Sequence, residues 1–96
     1  MVRSEEGNRI IITVLGHDRV GIIAAIATTL AEAGINILDI SQTILQGFFT
    51  MVMVADMSGS PLDIARLREI LNEKGREMEL QITVQHEDIF NFMHRI

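Results

Sequence analysis

Two short runs, Arg9–Leu15 (RIIITVL) and Phe48–Ala55 (FFTMVMVA), are apolar at both odd and even positions. A strand with one wet face alternates polar and apolar residues, so a run that does not alternate needs cover on both faces. These two segments belong in the middle of a sheet, and the rest of the chain must be arranged around them. Between them, Val20–Ala33 repeats apolar residues at helical spacing through Ile22, Ile26, Leu30 and Ala33, with Ile23 and Ala27 alongside. Gly16–Arg19 reads as the turn before this helix, and Gly34 stands where a left-handed cap would end it. Ile35–Leu45 alternates in two phases. Ile35 and Ile37 share one parity, while Leu38, Ile40 and Ile44 share the other, which predicts a bulge near Leu38. Gln46-Gly47 is a hairpin turn into the second apolar run.

Ser58-Gly59-Ser60-Pro61 breaks the pattern and starts a second helix, with Ser60 as N-cap, Pro61 in the first helical position and Asp63 at the third. Ile64, Leu67, Ile70 and Leu71 form its buried stripe, and Gly75 is the expected stop. Glu77–His86 alternates cleanly: Met78, Leu80, Ile82 and Val84 face in, and Glu79, Gln81, Thr83 and Gln85 face out. That is an edge strand with one wet face. In Glu87–Ile96, residues Ile89, Phe92, Met93 and Ile96 fall on one helical stripe. The order β-α-β-β-α-β is the ferredoxin-like plan. The expected class is α+β: an antiparallel sheet with both helices on one face, plus a short C-terminal helix. The expected divisions are a flexible leader over 1–8, the folded domain over 9–86 and an amphipathic helix over 87–96.

Two helices cover only one face of such a sheet. The other face exposes Ile11 and Leu15 beside one of two sets: Phe49, Met51 and Met53, or Phe48, Val52 and Val54. Soluble monomers rarely leave so large an apolar patch bare. A second subunit, the C-terminal helix, or both are expected to cover it.

Composition narrows the chemistry. With 8 Lys and Arg against 13 Asp and Glu, net charge −5, there is no basic footprint for nucleic acid, and the first strand lacks the aromatic residues of an RNA-binding sheet. No Cys is present, which removes thiol catalysis, iron–sulfur sites, zinc ribbons and disulfides. The longest apolar stretch, Val20–Leu38, is interrupted by Glu32, Asn36 and two Gly and is too broken to span a bilayer. His17 beside Asp18 is a poor base-and-orienter pair, because neighbours in sequence rarely face each other. His86, Glu87 and His94 match no metal-ligand spacing. The Ser residues lie in turns or on the second strand, with no nucleophile elbow. No catalytic residue, no metal and no cofactor are expected, and an acidic chain of this kind is expected in the cytoplasm.

The distinctive segment runs from LGHDRVGII to AEAGINILDI. The helix N-terminus at Val20–Ile23 offers unpaired amides at the positive end of the helix dipole, and Gly21 lets a ligand or another chain approach closely. Each residue also has a plain structural use: Asp18 as the helix N-cap, Gly21 in packing, Asn36 in turn chemistry. The second strand runs parallel to the first. Asn36 therefore belongs at the far end of the sheet from the Gly16–Arg19 turn and is not obviously adjacent to Gly21 within one subunit. In a dimer the neighbour's turn could meet it, and both sources, the same subunit or a neighbour, stay open.

DRVGIIAAIATTLAEAGINILDISQTI resembles the ACT domain family, small regulatory modules that carry a D-x-P-G-[IV] turn followed by G-x-N-I. The likeness runs from Ile10 to about Val84, with Val20 where the family usually has Pro. The chain is most similar to the small stand-alone ACT proteins of bacteria and archaea, and to the repeats of glycine-cleavage-system repressors. The resemblance implies amino-acid binding at ACT–ACT interfaces. By position it assigns His17, Asp18, Arg19, Gly21 and Ile22 to a first ligand loop, with Asn36 and Ile37 opposite. Together with the bare sheet face, the acidic charge and the broken apolar stretch, the expectation is a non-enzymatic homo-oligomer, a dimer first, with no nucleic-acid or membrane partner. The alternative is a protein-interaction module that binds no small ligand. A third reading is a small enzyme or metal-binding protein built on the His residues.

Overall fold

The computed structural model describes residues 8–89. The first strand, β1, is Arg9–His17, followed by helix α1 at Ile22–Glu32. Strands β2 (Asn36–Leu45) and β3 (Phe48–Asp56) come next, then helix α2 (Ile64–Met78) and strand β4 (Leu80–His86). The strands lie in the order β2-β3-β1-β4, each antiparallel to its neighbours. The two doubly apolar runs occupy the centre, as expected from their composition.

Both helices pack on one face. Ile10, Ile12 and Val14 of β1, Met51 and Met53 of β3, and Ile82 and Val84 of β4 point toward Ile22, Ile26 and Leu30 of α1 and Leu67 and Leu71 of α2, all buried. A large aliphatic side chain fully buried contributes about 1.5–3 kcal/mol, so this cluster carries the fold. The register sets Val52 and Val54 opposite Thr13 and Ile11, on the face without helices. Of the two sets left open by the sequence, Phe48, Val52 and Val54 share that open face, while Met51 and Met53 are core. Leu45 is 68% exposed, Phe48 52% and Leu15 46%.

The β2–β3 register shifts between Ile37 and Asp39, which places the bulge at Leu38. Gln46 and Gly47 both take positive φ, 51° and 84°, the geometry of a tight two-residue hairpin. Several boundaries differ from the sequence reading. Gly16 and His17 pair with Phe49 and Phe48, so β1 runs through half of the expected turn. Helix α1 begins at Ile22 rather than Val20 and ends at Glu32. Val20 is 99% exposed and belongs to the loop. Asp18 does not cap the helix: Gly21 holds the N-cap position at φ 93°.

The second helix starts later too. Asp63, not Ser60, is its N-cap, accepting a 2.8 Å bond from the Arg66 amide. Ser60 is engaged elsewhere. Its hydroxyl donates to the Ala33 carbonyl at 2.6 Å and accepts from the Leu62 amide at 3.1 Å, fastening this loop to the end of α1. Gly75 does not stop the helix. A Cβ there would sit 2.7 Å from the Leu80 carbonyl oxygen, so it marks close helix–strand packing. The helix continues to Met78 and turns at Glu79, φ 58°, so β4 starts at Leu80 rather than Glu77. Residues 87–89 begin a helical turn, and Glu87 pairs with Arg9 at 2.9 Å. Phe92, Met93 and Ile96, assigned to the C-terminal stripe, lie outside the described residues, as does most of the leader.

Candidate functional site

The loop between β1 and α1 is held from two sides. The Asp18 amide donates to the Gly47 carbonyl at 2.8 Å, tying the loop to the β2–β3 turn. The Arg19 guanidinium donates to the Met78 carbonyl at 3.1 Å, tying it to the end of α2. Between these anchors Gly21 takes the left-handed conformation that favours glycine, and its Cβ direction has no atom within 4 Å. Helix α1 therefore starts on a residue with no side chain, and no side chain caps its first amides. The Gly21 carbonyl already accepts from the Ala25 amide at 2.9 Å, so the helical ladder begins there. The amides of the first turn remain at the positive end of the helix.

These groups open on a cleft of about 280 Å³. Asp18, Arg19 and Gly21 form one wall and Ile22–Ala24 its base. The far wall comes from the sheet: Gln42 and Ile44 of β2, and Phe49 of β3. Here the helix layer stops short of the edge strand, so Ile44 is half exposed. The cleft is lined by residues that offer backbone donors, one carboxylate, a side-chain amide and an apolar rim, with the Arg19 guanidinium held on the Met78 carbonyl at its border. That set can hold a small zwitterion: a carboxylate on helix amides, an ammonium on oxygen acceptors, an apolar body against Ile44 and Phe49.

Four of the seven residues singled out from the sequence meet at this cleft: Asp18, Arg19, Gly21 and Ile22. His17 does not. Its ring stacks on Phe48 at 4.9 Å between centroids, on the open face of the sheet. Asn36 and Ile37 pair with Asp56 and Ala55 at the opposite end of β2, far from Gly21 within one protomer. Ile37 also packs against the core. Gln42, Ile44 and Phe49 carry no signal of their own in the sequence. They join the cleft through the β2–β3 register and the gap beside α1, neither of which a local motif carries. Among the described residues, no group of three His, Cys, Asp or Glu could hold a metal ion, and no helix is long and apolar enough to cross a membrane.

A four-stranded antiparallel βαββαβ sheet with both helices on one face defines the ferredoxin-like class of small α+β domain. Within that class the chain belongs to the ACT domain family, whose pattern it matches over residues 8–85. It is 55% identical to a UPF0237 protein of Clostridium perfringens over 86 residues, which covers 90% of this chain and 97% of that one. Its fold is similar to an ACT domain protein from Streptococcus pneumoniae, with TM-score 0.77, 39% identity, and coverage of 88% of this chain and 94% of the other. It is also similar to a putative glycine cleavage system transcriptional repressor, with TM-score 0.72 and 29% identity, over 81% of this chain and 44% of that one. The resemblance first seen in DRVGII and AGINI thus extends over nearly the whole chain.

Proposed function

We propose that this protein is a non-enzymatic regulatory ACT domain, acting in the cytoplasm, that binds an amino acid at an interface between two copies of itself. The observation that carries this reading is the uncapped start of α1 at Gly21, opening on a cleft whose far wall is the exposed edge strand. The first-turn amides and Arg19 receive the ligand carboxylate, and Asp18 or the Gln42 side-chain oxygen receives its ammonium. The second half of the site, Asn36 and Ile37, comes from the neighbour. Strand β2 is an edge of the sheet, and among the described residues no strand pairs with its outer side. If two β2 edges pair antiparallel about their centres, the partner subunit's Asn36 falls opposite Leu45 and the partner subunit's Ile37 opposite Ile44, and of these two β2 residues Ile44 lines the cleft. A ligand would then bridge the two copies, and its binding would strengthen their association.

The test is calorimetry with each of the twenty amino acids, followed by variants. Gly21→Val places a branched side chain in the cleft at a backbone conformation it rarely adopts, and should abolish binding. Its melting temperature separates a blocked site from a damaged fold. Gln42→Ala and Asn36→Ala should each weaken binding by about 1–3 kcal/mol. Binding unchanged in all three variants would place the site elsewhere. No binding by the parent protein would favour the interaction module, for which the half-exposed Leu15, Leu45 and Phe48 on the open face supply a surface.

A further inference from the structure

A second opening lies on the other side of α1, between the two helices. It is a crevice of about 380 Å³, walled by Ala33 and Gly34 at the end of α1, by Pro61 and Leu62, and by Ile70 of α2. Its floor is fixed by the bond from the Ser60 hydroxyl to the Ala33 carbonyl and by the close passage of Gly34 over Gly59. These walls are almost wholly apolar, and the volume falls at the lower end of the range that takes small organic ligands. Its polar lining residues are Thr29, whose hydroxyl already donates to the Ala25 carbonyl at 2.9 Å, and one charged residue, Glu32. Glu32 is the last residue of α1, and no basic residue occupies that last turn. A carboxylate there stands beside the negative end of the helix dipole, an arrangement that does not help the helix.

The nearby cations make their ion pairs with other carboxylates. Arg66 and Lys74 line the groove that continues from the crevice past Glu32, but they are engaged 2.9 Å from Glu69 and 3.3 Å from Glu77. Glu32 has no ion-pair partner among the described residues. The carbonyl end of α1 and the Glu32 carboxylate together concentrate negative potential at the mouth of an apolar slot. We propose that this crevice is a second ligand site, for a small organic ammonium with an apolar body. The body lies against Leu62 and Ile70, and the ammonium lies at Glu32. This inference is independent of the amino-acid site at Gly21, which lies at the opposite end of α1.

The probe is phenethylammonium, with phenethyl alcohol as its neutral counterpart, each titrated into the ¹⁵N-labelled protein. The ammonium should shift the amides of Gly34, Leu62 and Ile70 in a saturable way, and should bind about threefold or more tightly than the alcohol, the size expected of one exposed carboxylate. Raising the salt concentration should shrink that preference. Glu32→Gln, an exposed and near-isosteric change, should remove the preference while leaving alcohol binding as it was. Shifts scattered over the surface, an ammonium that binds no better than the alcohol, or a preference that survives Glu32→Gln would each overturn the proposal. The amides of Gly21 and Ala24 report the other site in the same spectra, so failure at one is distinguishable from failure at the other.

Discussion

At single residues, space and backbone conformation separate glycines that look alike in the sequence. Gly75 is helical, where alanine normally adds up to about 1 kcal/mol of stability. Its missing Cβ faces the Leu80 carbonyl oxygen at 2.7 Å, and a backbone atom cannot swing aside. Gly75→Ala should therefore destabilise the fold by about 1–3 kcal/mol despite the better helix propensity. Glu79 is the reverse case: a side chain held at φ 58° where the chain leaves α2. Glu79→Gly should stabilise, by up to about 1 kcal/mol, because left-handed backbone is unfavourable for residues with a Cβ. Urea midpoints for the two variants should move in opposite directions. The sequence offers Gly75 as the helix stop because glycine commonly ends helices. Only the packing of α2 on β4 reveals that it is a contact and that Glu79 makes the turn.

At the scale of elements, the strands are legible in the sequence and the helix starts are not. Strand phase is a local property: doubly apolar runs, clean alternation and a change of parity at Leu38 point to the order of strands and the bulge. Helix starts depend on competition. Ser60 and Asp63 both have capping side chains, and Asp63 prevails because Ser60 is drawn to the Ala33 carbonyl instead. Asp63→Ala should consequently lower stability by about 1 kcal/mol, read as a shift of the denaturation midpoint with unchanged slope. The first helix shows the opposite arrangement. Pairing of Gly16 and His17 with β3 carries the strand past the expected turn, and Asp18 is held in the loop, so no side chain is left to cap α1. The half of the candidate site around Gly21 is readable because a glycine at a helix start is a local signal. Gln42, Ile44 and Phe49 are not, because they reach it across the sheet.

For the whole molecule, the outstanding demand is cover. The helix layer buries one face and leaves two apolar surfaces: the open face with Leu15, Leu45 and Phe48, and the β2 edge with Leu38 and Ile40. Among the described residues no strand pairs with the outer side of this ten-residue edge, which makes it a template for pairing, and an apolar face of this kind is unusual on a monomer. We therefore expect at least a dimer at micromolar concentration in sedimentation equilibrium. Two charge substitutions separate the candidate geometries. Ile40→Lys alters the edge strand and leaves the open face intact, whereas Phe48→Asp places a charge on the open face beside His17. If Ile40→Lys alone yields a monomer and amino-acid binding weakens with it, the two β2 edges pair and the ligand site is shared. If Phe48→Asp alone yields a monomer, the copies meet through their open faces, and the cleft at Gly21 must bind its ligand within one protomer. A parent protein that sediments as a monomer would leave the open face to the chain's own C-terminal segment, and would remove the shared site altogether.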